Sequence, residues 1–270
     1  MSESRIIVLA PQTAPELSPP DLITCAAQAG YSHVGVRVVT GAARPDSPMA
    51  PGQPLLRETA ERLRQEGVGL HEAEVVRLDA QTQVDDFRPA LEAAAWLGAT
   101  RMVAVSDDPE PARAADYFAR LCELADAHGL TVDIEPIPYY VTRDIAAAEA
   151  LIARSGSRNG GIVPDPLHLF RSGDGVEGLR RITPGLLHLA QLCDAPAAIP
   201  DNHEEMMRQA RTARLDPGEG GLDLLGYLRA LPEGLPLSLE VPKTELAASV
   251  PAVVRARNAL EGTRRLLAQL

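Results

Sequence analysis

The chain has 270 residues, enough for two small domains or for one barrel of about 250 residues. Hydrophobic residues make up 45% and aromatics only 3%, so a full core is available but must be built from Val, Leu, Ile and Ala. A formal net charge of -11 repels phosphate backbones and anionic membranes, which excludes nucleic acid and membrane surfaces as natural partners.

The N-terminus begins with polar residues and lacks the basic-then-apolar order of a secretory signal. No run of about 18 apolar residues occurs, so a cytoplasmic protein is the expectation. Cys25, Cys122 and Cys193 lie far apart and form no CxxC, and read as reduced, buried small hydrophobes.

Short apolar runs then recur at intervals of roughly 30 residues, each of strand length and rich in β-branched side chains. They start near Arg5, His33, Val68, Thr100, Leu130, Gly160, Leu186 and Pro236. Helical segments lie between them. Ser18 caps the first, Pro19 suits its first turn, Asp21 complements its N-terminal dipole and Gly30 ends it. Segments 54–66, 85–97 and 110–128 run up to Gly67, Gly98 and Gly129, and Thr142 is positioned to cap 143–155 before Gly156. Repeated helix-Gly-strand junctions with no hairpin signal predict an α/β fold, a closed (β/α)8 barrel, as a single domain over residues 1–270. An open doubly wound sheet is the alternative, but no Gly-rich phosphate loop follows the first strand. The spacing breaks once, over roughly 195–235, where an extra polar segment should lie over the barrel mouth.

Alternation along each strand assigns directions. In LTVDIEP, Leu130, Val132 and Ile134 face the helices, so Asp133 and Glu135 face inward. In PLSLEVP, Ser238 and Glu240 face inward, and in GGIVPD, so do Gly161, Val163 and Asp165. Three valines in HVGVRVV put Arg37 inward. Gln191 shares parity with Leu187 and Leu189, a weaker assignment.

Acids therefore end three strands at the mouth. At about 4 Å and an effective dielectric near 20, each like-charged pair costs roughly 4 kcal/mol. Each acid could instead pair with a nearby arginine, but three at matching strand ends point to a shared cation. With Gln191 adding an amide oxygen, the candidate ligands are Glu135, Asp165, Gln191 and Glu240. Four oxygen donors and no thiolate favour one hard divalent ion, Mg, Mn or Co, over zinc.

Several motifs resemble those of the sugar phosphate isomerase/epimerase family within the xylose isomerase-like TIM barrel superfamily. They are Asp165-Pro166-Leu167-His168 with Arg171-Ser172-Gly173, then Gln191-Leu192-Cys193-Asp194, the run Arg214 to Gly220, and Leu239-Glu240-Val241-Pro242. The resemblance is specific in the C-terminal half and weak in the first hundred residues. It implies metal-ligand roles for Glu135, Asp165, Gln191 and Glu240, a substrate- or proton-handling role for His168 and a substrate contact for Arg214. Many members carry His where this chain has Gln191; the Gln form is similar to bacterial 3-dehydroshikimate dehydratases. Prolines 164 and 166 flank Asp165 and are expected to reshape the turn to His168.

The resemblance implies a shared reaction step, removal of a proton next to a carbonyl, with Glu135 and Glu240 as candidate bases and His168 as an acid. Three outcomes stay open: a sugar or polyol isomerase or epimerase, a dehydratase (lyase) of a cyclic hydroxy-ketone or hydroxy-acid, or a sugar-binding barrel without turnover. The partner is in each case a small carbonyl compound, and homo-oligomerisation is left open. A related fold that repairs DNA with several zinc ions is disfavoured by only six histidines and the acidic charge. Among other residues, Glu74 reads equally as pocket-facing or surface, and Arg37 as binding a substrate oxygen or neutralising the acids. His71 and Glu72 share its strand. His188 reads as a helix-facing structural histidine. His33 and His128 carry no signal, and His203 is expected in solvent. Arg208 and Arg211 read as a charged, solvated helix face capped by Asn202, whereas Arg214 reads as turning into the mouth.

Overall fold

The computed structural model describes residues 5–39 and 47–270; the polar start of the chain, residues 1–4, lies outside them. Its eight strands are β1 (Ile7–Leu9), β2 (His33–Arg37), β3 (Gly69–Leu78), β4 (Arg101–Ser106), β5 (Thr131–Ile134), β6 (Gly160–Ile162), β7 (Ala190–Leu192) and β8 (Leu237–Leu239). All neighbouring strands run parallel, in the order β6-β5-β4-β3-β2-β1-β8-β7. The ring closes between β6 and β7 through a parallel bridge from Ile162 to Leu187 and a hydrogen bond from Gln191 N to Pro164 O, 2.9 Å. Every one of the predicted strand positions is occupied.

The helices that wrap the barrel are α1 (Pro19–Ala29), α2 (Pro54–Glu66), α3 (Arg88–Trp96), α4 (Pro111–Asp126), α5 (Ile145–Ser155), α6 (Pro166–Ser172), α7 (Gly175–Arg181), α8 (His203–Thr212), α9 (Leu224–Ala230) and α10 (Ala252–Leu267). Ser18 caps α1 through the N–H of Asp21, and α1, α2 and α5 each end on a left-handed glycine, Gly30, Gly67 and Gly156. Two details differ from the sequence reading. The cap of α5 is Asp144, whose carboxylate accepts from Ala147 N, rather than Thr142. The 85–97 segment opens as a tight 3-10 turn and becomes α-helical only at Arg88, where Pro89 suits a first turn.

The main core lies between strands and helices, and includes Phe118, Leu121, Ile134, Ile162 and Leu239, all fully buried. A smaller cluster, Val103, Val163 and Leu189 with Val75 against it, plugs the inside of the barrel. That plug leaves the C-terminal strand ends free to carry polar groups. Cys25, Cys122 and Cys193 are free and buried, as expected. No helix among the described residues is long and apolar enough to cross a membrane.

Candidate active site

Glu135 and Glu240 stand one residue beyond β5 and β8, where the ladder still holds them. Glu135 N donates to Ala104 O (2.9 Å) and Glu240 N to Leu192 O (3.2 Å). Asp165 is the N-cap of α6, accepting from His168 N at 3.2 Å. The flanking prolines fit this turn without distorting it. Pro166 occupies the first helical turn, where no N–H is required. The Pro164 carbonyl accepts from both Gln191 N and the Tyr227 hydroxyl (2.9 Å each).

The side chains of these acids converge. One carboxylate oxygen from each of Glu135, Asp165 and Glu240 lies within 4.8 Å of the others, and all three residues are buried. Oxygens about 2.1–2.4 Å from one ion are separated by this kind of distance. The Gln191 amide stands 3.0 Å from both Asp165 Oδ2 and Glu135 Oε1. Turned with its oxygen inward, it completes a four-oxygen set that only a cation reconciles; turned with its nitrogen inward, it donates to both acids. The residues present therefore fit a divalent ion. Tyr227, whose single O–H is shared between Pro164 O and Gln191 O (3.0 Å), fixes this part of β7 from outside.

The cluster is not made of acids alone. Arg214, 4% exposed, places Nη1 against Asp165 Oδ2, 3.0 Å from Glu240 Oε2 and 3.1 Å from the Glu240 carbonyl, and its Nη2 lies 3.5 Å from His168 Nε2. The expectation that a cation must neutralise the acids is thus met in part by a side chain. Arg37 does the same at the edge, donating to Glu74 Oε1 at 3.1 Å. Four carboxylates, Glu74, Glu135, Asp165 and Glu240, face two guanidiniums, so full ionisation leaves two negative charges uncompensated.

Burial is the largest cause of the shifts at these groups, and the imbalance adds to it for Glu135 and Glu240. Burial, with Glu240 and Asp165 adding repulsion, holds Glu135 well above the usual carboxylate range. Burial likewise raises Glu240 to about 7, against the pull of Arg214. Burial also pushes on Asp165, but Arg214 and His168 outweigh it and keep its carboxyl low. Burial lowers His168 to about 4, so it is neutral at pH 7; its Nε2 lies 3.6 Å from Glu135 Oε1 and its Nδ1 has no partner among the described residues. One layer deeper, the Ser238 hydroxyl donates to Glu72, which burial and Glu74 raise to about 8.

Glu135, Glu240, His168 and Arg214 border a cavity of about 130 Å³ at the mouth, lined also by Glu74, Arg37, Tyr139 and Arg211. Its size admits a small molecule only. Asp194, two residues after β7, builds the edge that carries Arg214. Its two oxygens accept backbone N–H bonds from Ala195, Gly218, Gly220 and Leu222 at 2.8–3.2 Å, and a bridge joins its backbone to Leu215. A side chain at Gly220 would meet Asp194 Oδ1 at 2.3 Å, so this turn needs glycine.

All eight sequence-derived site residues, Glu135, Glu240, His168, Arg214, Arg37, Glu74, Asp165 and Gln191, border this mouth or its cluster. Alternation along the strands did not find Tyr139 and Arg211. The available signal was two adjacent tyrosines, Tyr139 and Tyr140, just after Glu135 in a chain poor in aromatics. His188 is a correction. It precedes β7 in a bend and pairs through Nδ1 with Asp133 Oδ1 at 2.6 Å, at the lower end of the barrel, instead of facing the helices. His203 is exposed, as expected, and its ring packs edge-on to Tyr139.

Comparison with known proteins places this geometry. Residues 23–266 match the xylose isomerase-like TIM barrel family, and the chain belongs to it. The 3-dehydroshikimate dehydratase of Pseudomonas aeruginosa is 32% identical over 164 residues, a match covering 58% of this chain and 24% of that protein. The chain thus spans about a quarter of the curated relative it matches. Among solved structures, the IolI protein with a bound zinc atom superposes with a TM-score of 0.77 at 18% identity, covering 98% of each chain. The D-allulose 3-epimerase of Methylomonas sp. in complex with D-allulose gives 0.71 at 15% identity, covering 97% of each. At such identities these two structures share the fold with this chain.

Proposed function

We propose that this chain is a divalent-metal-dependent enzyme that removes a proton next to the carbonyl of a small polyhydroxylated compound. The observation that carries the reading is the convergence of three buried carboxylates and an amide on one point at the floor of a small cavity. Glu135, Asp165, Gln191 and Glu240 would hold the ion, which when bound supplies Lewis-acid stabilisation to negative charge developing on substrate oxygens. Mg, Mn or Co suits this all-oxygen set best.

Each remaining part of the task falls to a named side chain. Glu240 and Glu135 reach the cavity from β8 and β5, and one of them takes the proton. His168, neutral and beside Glu135, handles the proton delivered elsewhere on the substrate. Arg214 orients a substrate oxygen and, before substrate or ion arrives, occupies the acids. Tyr139 and the valines at 75, 103 and 105 form the apolar walls.

With acids addressing one carbon from two strands, the first reading is an isomerase or epimerase of a small sugar or polyol. A second reading, a dehydratase of a cyclic hydroxy-ketone, is favoured by Gln191 and by the relationship to a 3-dehydroshikimate dehydratase. One experiment separates them. Metal-loaded protein is incubated in heavy water with a panel of keto-sugars and with 3-dehydroshikimate. Deuterium entering next to the carbonyl is expected; a rise in ultraviolet absorbance marks the conjugated product of dehydration. Bound metal without exchange into any of these substrates would leave a binding barrel in place of an enzyme.

A further inference from the structure

Three arginines recur at intervals of three along α8 and the residues after it, and their surroundings differ. Arg208 forms a two-pronged bridge to Glu205, 2.7 and 2.8 Å, on the outer face. Arg214 is committed to Asp165 and Glu240. Arg211 has no acid partner among the described residues. It lies over Tyr139, with Cζ 5.6 Å from the ring centroid, and lines the cavity.

The same Tyr139 ring packs edge-on to His168, 5.8 Å between centroids. Arg211 is therefore one aromatic ring away from the histidine that touches the acid cluster. On another part of the wall, Arg37 spends one nitrogen on Glu74, while its buried Nε has no partner among the described residues. The acid cluster thus takes up Arg214, and Glu74 takes up part of Arg37, while Arg211 on the cavity wall touches only the tyrosines 139 and 140 and keeps its charge without a carboxylate among the described residues. The hydroxyls of a neutral sugar would offer Arg211 only uncharged, single-oxygen acceptors. A planar carboxylate matches the fork of a guanidinium, and the stacked tyrosine restrains the fork's orientation.

We propose that the substrate carries a carboxylate, held by Arg211 at the rim with Arg37 as the second donor, while its hydroxy-carbonyl end meets the acid cluster. This deepens the preceding reading and rests on it for the orientation of the substrate. It assigns the substrate class as small hydroxy-keto acids rather than neutral sugars, and Arg211 as the specificity-determining residue.

The test is calorimetric binding to two matched pairs, 3-dehydroshikimate with its methyl ester and D-glucuronate with D-glucose, with and without Mn(II). The wild type is expected to bind the acid of at least one pair ten-fold or more tightly than its neutral partner. R211Q should lose most of that preference with Mn(II) content and ester binding unchanged, and R208Q should retain it. Absence of acid preference in both pairs, including absence of binding by either acid, overturns the proposal, as does full preference in R211Q. Mn(II) binding is scored in the same titrations, so failure to take up the ion counts against the metal-enzyme reading separately from the carboxylate site.

Discussion

Asp133 and Glu135 stand two residues apart on the same face of one strand, and the barrel treats them in opposite ways. Asp133, fully buried, meets one base, His188, at 2.6 Å and accepts a longer bond, 3.5 Å, from the Thr131 hydroxyl, and Gly161 opposite has no side chain because a Cβ there would lie 2.2 Å from Asp133 Oδ1. Arg101 closes this lower end by donating to the His188 carbonyl. Glu135, one layer higher, meets Asp165 and Glu240 as well as His168, with one guanidinium shared among them. One acid with one base is a closed structural unit. Several acids with too few bases form an unfinished one, and an unfinished electrostatic group in a cavity is what a ligand can complete.

The sharpest way to break this contrast is to neutralise each acid in turn. Glu135→Gln and Glu240→Gln should each lower metal content and reduce turnover by about 10³-fold, the equivalent of roughly 4 kcal/mol of transition-state stabilisation. Asp133→Asn should leave metal content, measured by elemental analysis, at the wild-type level. Chelation should abolish activity in the wild type, and Mg, Mn or Co should restore it. Wild-type turnover in both glutamine variants would place the reaction elsewhere.

Arg214 tests the upper end from the other side. It is a buried cation bound to two acids, so truncation leaves uncompensated charge. Arg214→Ala is expected to destabilise the metal-free protein by roughly 3–5 kcal/mol, read from urea melts. Added Mn(II) should recover much of that loss, because the ion takes over the neutralisation, and metal content should not fall. A loss that the ion leaves unchanged would make Arg214 a structural strut and not a stand-in for a cation.

The sequence pattern carried the fold further than it carried the site. Glycines after helices and β-branched runs are local signals, and each marked a real junction; Thr142 failed as a cap only because Asp144, two residues on, does the same chemistry. Strand parity turned Glu135, Asp165 and Glu240 inward, where their carboxylates converge, although Asp165 already stands beyond β6 at the cap of α6. It was ambiguous for Gln191 because Leu189, on the same face, belongs to the apolar plug with Val103 and Val163. The inside of the barrel changes from apolar to polar within one strand, and parity alone does not register that step. It misled for His188 because alternation does not extend into the bend before β7. Tyr139 comes from a loop that nothing periodic announces; Arg211 shares a spacing of three with Arg208 and Arg214, which reads as a solvated face, and only tertiary packing sets it on the cavity lining. Arg214 could be sent to the mouth by its sequence context, but its partners there are acids from β6 and β8, far away along the chain.

The lower pair offers the smallest and most specific contrast. The hydrogen bond to Asp133 raises the His188 imidazole above its ordinary value of 6.5, with burial opposing. A base whose folded-state value is raised gives stability that is complete below the unfolded value and fades as pH climbs through the folded one. The difference in unfolding free energy between wild type and His188→Ala should therefore be largest near pH 5.5, at about 2 kcal/mol, and should shrink toward pH 9. It should also be the same with chelator and with saturating Mn(II), since this end of the barrel needs no ion. A gap that widens with pH would show that the pair is not the charged unit its geometry implies. A gap that changes when Mn(II) is added would show that the two ends of the barrel are electrostatically one site.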